Sequence, residues 1–249
     1  MDLGLRGKAC LVTGSTTGIG LSTARLLVTE GARVVTCGRR GAPGVGEDSH
    51  IQVDLAERGG PERAVSEASA LLGGLDVLVN NAGSARQARF EEVGDDEWDA
   101  YWQLNVMSFV RSIRAALPRL RTSRGAIVNV SSTAGKRPST GMPHYSVTKA
   151  AVLSLSRLIA DLHAGDGIRC NAVAPGPTAT DAWLGEGGLA DQQGEREEVL
   201  ARVAAGRPLG RLASPDEIAA VIVFLCSERA SYVTGAAWSA DGGTVPIIV

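Results

Sequence analysis

Histidine and cysteine are scarce in this chain of 249 residues, with three of the first and four of the second. Cys10, Cys37, Cys170 and Cys226 form no CxxC pair, and His50, His144 and His163 have no partner at metal-ligand spacing. No metal site is therefore expected, and the cysteines read as free, buried thiols of a reducing cytoplasm. An excess of one charge is missing too. Twenty-five basic residues stand against 27 acidic ones, which gives a nucleic acid no electrostatic footing. No apolar run is long enough to span a membrane. The opening "MDLGLRGKACLVTG" lacks the basic and apolar regions of a signal peptide. Repeats, low-complexity tracts and linkers are also lacking. What remains is 44% hydrophobic, enough for one sizeable core.

The hydrophobic pattern alternates short runs with longer amphipathic ones. "ACLVTG", "RVVTC", "HIQVDL", "DVLVNNAG", "AIVNVSS" and "IRCNAVAPG" are rich in Val, Ile and Leu. They read as strands buried on both faces, with a last short strand at Ala236–Ala240. Helical patterns cover Ile19–Glu30, Pro61–Leu72, Asp95–Leu120, Pro143–His163 and Ser214–Ser227. The last begins with Ser214 as N-cap and Glu217 three residues on, a capping box. Strand–helix alternation predicts an α/β fold: one doubly wound domain over 1–249, a parallel sheet with helices on both faces. Gly38–His50 looks too broken for a full helix. The segment 181–208 begins Gly-rich and becomes helical, and its Trp183, Leu184 and Leu189 suit a lid with something to cover.

Two stretches carry chemistry. "VTGSTTGIG" (Val12–Gly20) lies between the first strand and the first helix. Glycines there let the backbone approach a pyrophosphate, and the helix offers free N–H groups. After strand two, "TCGRR" puts Gly38 where an NAD-type acid would stand, followed by Arg39 and Arg40. A guanidinium suits a 2′-phosphate, so NADP is favoured over NAD. Asp54 at the end of strand three suits an adenine amino group. Ala82 and Gly83 let a flat ring lie against backbone, and Asn81 can brace neighbouring strands. In "GMPHYSVTKAAV", Tyr145 and Lys149 are four apart and share a helix face. A nearby ammonium favours phenolate, which would let Tyr145 exchange protons with an alcohol or carbonyl. Ser132, thirteen residues earlier, ends strand five. Asn105 lies inside a predicted helix.

TGxxxGIG, NNAG, a helical Asn, a strand-five Ser, YxxxK and a PG after strand six occur in this order. Together they resemble the classical short-chain dehydrogenase/reductase family across nearly the whole chain, including members that reduce 3-oxoacyl thioesters. The resemblance implies a single Rossmann-like domain with a seven-stranded parallel sheet. It implies that Asn105, Ser132, Tyr145 and Lys149 are catalytic, with Tyr145 as general acid/base. It implies cofactor contacts at Gly14, Thr16, Thr17, Gly18, Ile19, Gly20, Arg39, Asp54, Leu55, Asn81, Ala82, Gly83, Tyr145, Lys149, Pro175, Gly176, Thr178 and Thr180. Thr17 stands where many NADP-preferring members carry a basic residue, so the cofactor choice rests on Gly38 and Arg39. The partners implied are a small carbonyl or alcohol substrate and further copies of the chain in a homotetramer. The tetramer would be built from the helices beginning near Asp95 and Pro143. Arg86 and Arg89 either meet an acidic or acyl-carrier-linked substrate or are surface charges. A non-catalytic redox sensor using the same cofactor pocket is the alternative. Such proteins usually lose the Tyr or the Lys, and this chain keeps both.

Overall fold

The computed structural model describes residues 2–41, 45 and 49–246. Seven parallel strands form one sheet in the order β3-β2-β1-β4-β5-β6-β7. They are β1 (Ala9–Thr13), β2 (Arg33–Gly38), β3 (His50–Gln52), β4 (Val77–Asn80), β5 (Ala126–Val130), β6 (Arg169–Pro175) and β7 (Ala237–Ala240). Each strand falls on a run expected from the sequence. The helices are α1 (Gly18–Thr29), α2 (Gly60–Leu72), α3 (Asp95–Trp102), α4 (Ser108–Ser123), α5 (Thr133–Lys136), α6 (Pro143–His163), α7 (Asp181–Leu184), α8 (Arg196–Ala205) and α9 (Pro215–Cys226).

The period-two rule sorts the core. Leu11, Leu78 and Ile127 face α2, α4 and α6, where they meet Ala64, Ile113 and Ile159. Their neighbours Val12, Val79 and Val128 face the other way, onto Leu27 of α1 and Ile222 of α9. Both faces of the central strands are thus covered, which explains their unbroken apolar runs. Strand β7 departs from that expectation. Among the described residues it pairs only with β6, and three of its four residues are exposed. As an edge strand it has no neighbour to hide its outer face.

A second departure lies in the stretch expected as one helix from Asp95 to Leu120. The helix does run through and past that region, but Gln103–Met107 winds as a π segment between α3 and α4. Asn105 sits within it, fully buried. The Ser214 capping box on α9 is present. Residues 42–44 and 46–48 of the Gly38–His50 connection lie outside the described residues. All four cysteines are buried and unpaired. Among the described residues no helix is long and apolar enough to cross a membrane, and no group of side chains could hold a metal ion.

In the strand order, β1 and β4 are neighbours although two strands intervene in sequence. Crossovers leave this point in opposite directions, so a crevice opens at the carboxyl ends of the strands. The loops after β1, β4, β5 and β6 all empty into it.

Candidate active site

Two adjoining cavities occupy that crevice. One, of about 290 Å³, is lined by Gly14, Thr16, Thr17, Gly18, Ile19, Arg39, Arg40, Asp54, Leu55, Asn81, Ala82 and Gly83 among others. The other, of about 530 Å³, is lined by Ser132, Tyr145, Lys149, Pro175, Gly176, Thr178 and Thr180, together with residues of the 181–208 segment. Ile19, Asn81, Gly83, Thr180 and Ala182 belong to both walls. The site residues expected from the sequence therefore converge on one continuous trough, with two exceptions.

Gly20 is the first. It lies behind the loop and lines neither cavity. A Cβ on it would sit 2.4 Å from the Gly14 carbonyl oxygen and from Asn81 Nδ2. Its lack of a side chain lets the loop fold tightly, so it shapes the cradle from behind. Asn105 is the second. Its amide accepts from Ser84 N–H at 2.9 Å and donates to the Ser84 carbonyl and to Thr148 Oγ1. Every group of the side chain is spent on protein, tying the loop after β4 to α6.

The first cavity is built by close backbone approach. Gly14 has φ +61°, and a Cβ there would lie 2.6 Å from Ala82 Cα. Asn81 Nδ2 donates to the carbonyls of Thr13 and Gly14, pinning the glycine loop to β4. Gly38 leaves room for the Thr16 methyl group, which a Cβ would meet at 2.8 Å. Arg39 and Arg40 are exposed at its mouth and have no ion-pair partner among the described residues.

In the second cavity, Ser132 caps α5 by accepting from Ala134 N–H at 3.1 Å, and its hydroxyl also bonds the Tyr145 phenol. Tyr145 keeps part of its surface open to the cavity. Lys149 is buried, donates to the Val130 carbonyl at 2.9 Å, and holds its ammonium 5.7 Å from the Tyr145 ring centre. Burial pulls Lys149 down to about 8. The phenol does not follow the expectation of an ammonium-lowered pKa. Burial raises Tyr145 above its usual value, the Ser132 bond opposes that, and nearby Tyr101 adds to it. Desolvation of the phenolate outweighs its stabilisation.

Sequence reasoning marked the 181–208 segment but singled out only Trp183, Leu184 and Leu189 within it. Gln193, Arg202 and Arg207 of the 181–208 segment reach the second cavity, as does Arg137 after α5. Their signal was an apolar-flanked segment with isolated arginines, too generic to single out. Leu189 and Trp183 do line the cavity, whereas Leu184 is 38% exposed. Arg86 and Arg89 prove to be paired surface charges. Arg86 grips Glu97 through two bonds of 2.8 and 2.6 Å, Arg89 pairs with Glu91, and neither lines the cavity.

His144, next to Tyr145, is fully buried, with neither ring nitrogen hydrogen-bonded among the described residues. Tyr101 packs edge-on at 4.0 Å, and Glu97 stands 3.5 Å from Nε2 with Arg86 behind it. Burial lowers its pKa, Glu97 opposes, and Arg86 adds to the lowering. The folded protein thus binds fewer protons here than the unfolded chain. Stability should fall as pH drops through about 6.5, the unfolded value, and continue to fall to the folded value. Urea midpoints between pH 7 and pH 5 should show this decline, and His144→Asn should flatten it. An unchanged slope in the variant would remove His144 as the cause.

Comparison with known proteins gives the same outline. A family model described as enoyl-(acyl carrier protein) reductase matches residues 14–245. The chain belongs to the short-chain dehydrogenase/reductase family of oxidoreductases. It is 35% identical to the 3-oxoacyl-[acyl-carrier-protein] reductase of Thermotoga maritima, covering 97% of this chain and 99% of that protein. It is 34% identical to the D-beta-hydroxybutyrate dehydrogenase of Cupriavidus necator, covering 97% and 99%. The L-sorbose reductase of Gluconobacter frateurii, solved with NADPH and L-sorbose, superposes with a TM-score of 0.92 at 36% identity over 100% of both chains.

Proposed function

We propose that this protein is an NADPH-dependent reductase that converts a carbonyl to a secondary alcohol. One observation carries the reading: the Tyr145 phenol, bonded to Ser132 and close to Lys149, borders the same trough as the glycine cradle. The residues fit a dinucleotide. Gly14, Gly18 and Gly83 line the trough without side chains and let Ala82, Thr180 and Lys149 approach closely, the N-terminus of α1 faces the loop, and Arg39 is free for a 2′-phosphate. NADPH would lie along Gly14–Gly20, Arg39, Asp54 and Asn81–Gly83, and when bound it supplies a hydride. The complexes of the L-sorbose reductase with NADPH support the cofactor choice.

Ser132 holds the carbonyl oxygen beside the phenol. Tyr145 then donates its proton as negative charge develops on that oxygen. A phenol held above its usual pKa stays protonated at neutral pH, the form that reduction needs. Lys149 places a cation behind the phenol. Asn105 fixes the helix and loop on which this geometry rests. The 181–208 segment acts as the lid. It crosses the cavity mouth, where Gln192 Oε1 accepts from Gln87 N–H at 2.9 Å, and it carries its own small core of Ala190, Val199 and Val203. A 3-oxoacyl thioester is a substrate that the Thermotoga maritima relative supports. The cytoplasm is the expected location. A homotetramer is the expected assembly, since the helical face bearing Trp102, Val147 and Leu158 and the open edge at Trp238 leave large apolar side chains exposed.

The test is titration with NADPH and NADH, read by nicotinamide fluorescence, followed by turnover on a carbonyl panel. NADPH should bind more tightly and support turnover. Arg39→Ala should weaken NADPH by about tenfold or more while leaving NADH nearly unchanged, as expected for loss of a charge-assisted bond. Equal losses for both would refute the 2′-phosphate assignment. Tight binding without any turnover would favour the sensor.

A further inference from the structure

The charge on the wall of the second cavity is one-sided. Lys149, Arg137, Arg202 and Arg207 line it, and among the described residues no aspartate or glutamate does. This is unusual within a chain whose total charge is −2. Several arginines elsewhere are matched with carboxylates: Arg86 with Glu97, Arg121 with Asp166, Arg157 with Asp161, Arg196 with Asp191 and Arg211 with Glu217. The lid follows the same division. Arg196, at the start of α8, is paired, whereas Arg202 and Arg207, towards its end, turn to the cavity without a carboxylate.

Arg207 is the most committed of them. It follows the C-terminal end of α8, and its Nη1 donates to the Val203 carbonyl at 2.6 Å. That bond holds the guanidinium in place. Its Nε is buried and has no acceptor among the described residues. Loss of water around the group also lowers its pKa. A guanidinium partly withdrawn from water, with no carboxylate beside it among the described residues, gains from a ligand that provides the counter-charge. Arg137 and Arg202 are exposed and add to the field more than they fix a geometry.

We propose that the substrate carries an oxyanion at its end remote from the carbonyl, and that Arg207 on the lid binds it. This rests on the reductase reading and narrows its substrate. The oxyanion has two sources: the carboxylate of an oxo acid, or the phosphate of a thioester carrier. A planar fork with one free edge suits two oxygens of either. The bond also gives the lid a reason to close, since its anchor comes from the substrate itself.

The experiment uses wild-type protein loaded with NADP+, on which a ketone binds without being reduced, read by calorimetry. One arm compares 4-oxopentanoate, 5-oxohexanoate and 7-oxooctanoate with their methyl esters. The other compares 3-oxobutanoyl-CoA with its phosphate-free N-acetylcysteamine thioester. In at least one arm the anion should bind about tenfold more tightly than its neutral partner. Arg207→Met should erase that preference, Arg207→Lys should restore part of it, and Arg157→Met, which removes a paired surface charge, should leave it intact. The arm that responds names the source. Lack of preference in both arms would overturn the proposal, and so would a preference that survives Arg207→Met. NADPH affinity serves as the folding control. Turnover of the neutral esters with NADPH is scored separately, so failure there would indict the reductase reading and not the anion site.

Discussion

Tyr145→Phe should lower turnover by about 10²–10⁴-fold, the range that a positioned acid or base contributes, with NADPH affinity nearly unchanged. The substitution removes one oxygen and leaves the ring. That oxygen bonds Ser132 and is the acid nearest the expected carbonyl position. A second signature goes with it. Because burial holds the phenol above its ordinary value, reduction should run well at neutral pH and fall only in the alkaline range as the proton is lost. The reverse oxidation needs phenolate and should rise over the same range. Steady-state rates in both directions across pH, in wild type and variant, check both statements. Retained activity in the variant would sink the mechanism.

Gly14→Ala should be the most damaging small change in the cofactor cradle. The added Cβ would meet Ala82 Cα at 2.6 Å and the Ala82 nitrogen at 2.9 Å, both backbone atoms that cannot swing aside. The residue would also carry φ +61°, which costs a non-glycine residue about 1–2 kcal/mol. A total loss of about 2–3 kcal/mol corresponds to a Tm lower by about 5–10 °C in a domain of this size. Cofactor affinity should drop further, by about 10²-fold, because the loop must shift by roughly 1 Å to accept the methyl group. Thermal melts with and without NADPH separate the two effects. A variant with wild-type Tm and affinity would show that the loop has slack and that its closeness to β4 is not needed.

Much of the architecture could be read from residue pattern because it obeys local rules. The apolar runs that became β1, β4, β5 and β6 needed only length and branching to be recognised, and the Ser214 box announced α9. The convergence of Ser132, Tyr145 and Lys149 was legible because strand ends and one helix face fix where such side chains go. What escaped was set by tertiary context. The exposure of β7 follows from its place at the sheet edge, which no run of four residues encodes. The π segment at Gln103–Met107 looks like ordinary helix in sequence, and only its packing with the Ser84 loop and Thr148 selects the wider turn. The acidity of Tyr145 followed the water removed around it more than the ammonium one turn away. Arg207 could not be singled out within its segment, because its meaning depends on which carboxylates are absent from a wall assembled from distant segments.

The π segment has a consequence for how this helix tolerates change. A wide turn houses one residue more than a regular α turn over nearly the same rise. Deleting one residue there would restore a continuous α-helix and leave α3 and α4 nearly in phase. Winding the same residues as continuous α-helix would instead rotate everything on one side by about 100° relative to the other. The face of α3 bearing Glu97 and Tyr101 would then lose phase with the face of α4 bearing Phe109 and Ile113 in the core. The wide turn is what lets this number of residues join two helices whose faces are both fixed, as a shim takes up the surplus between two parts already bolted down.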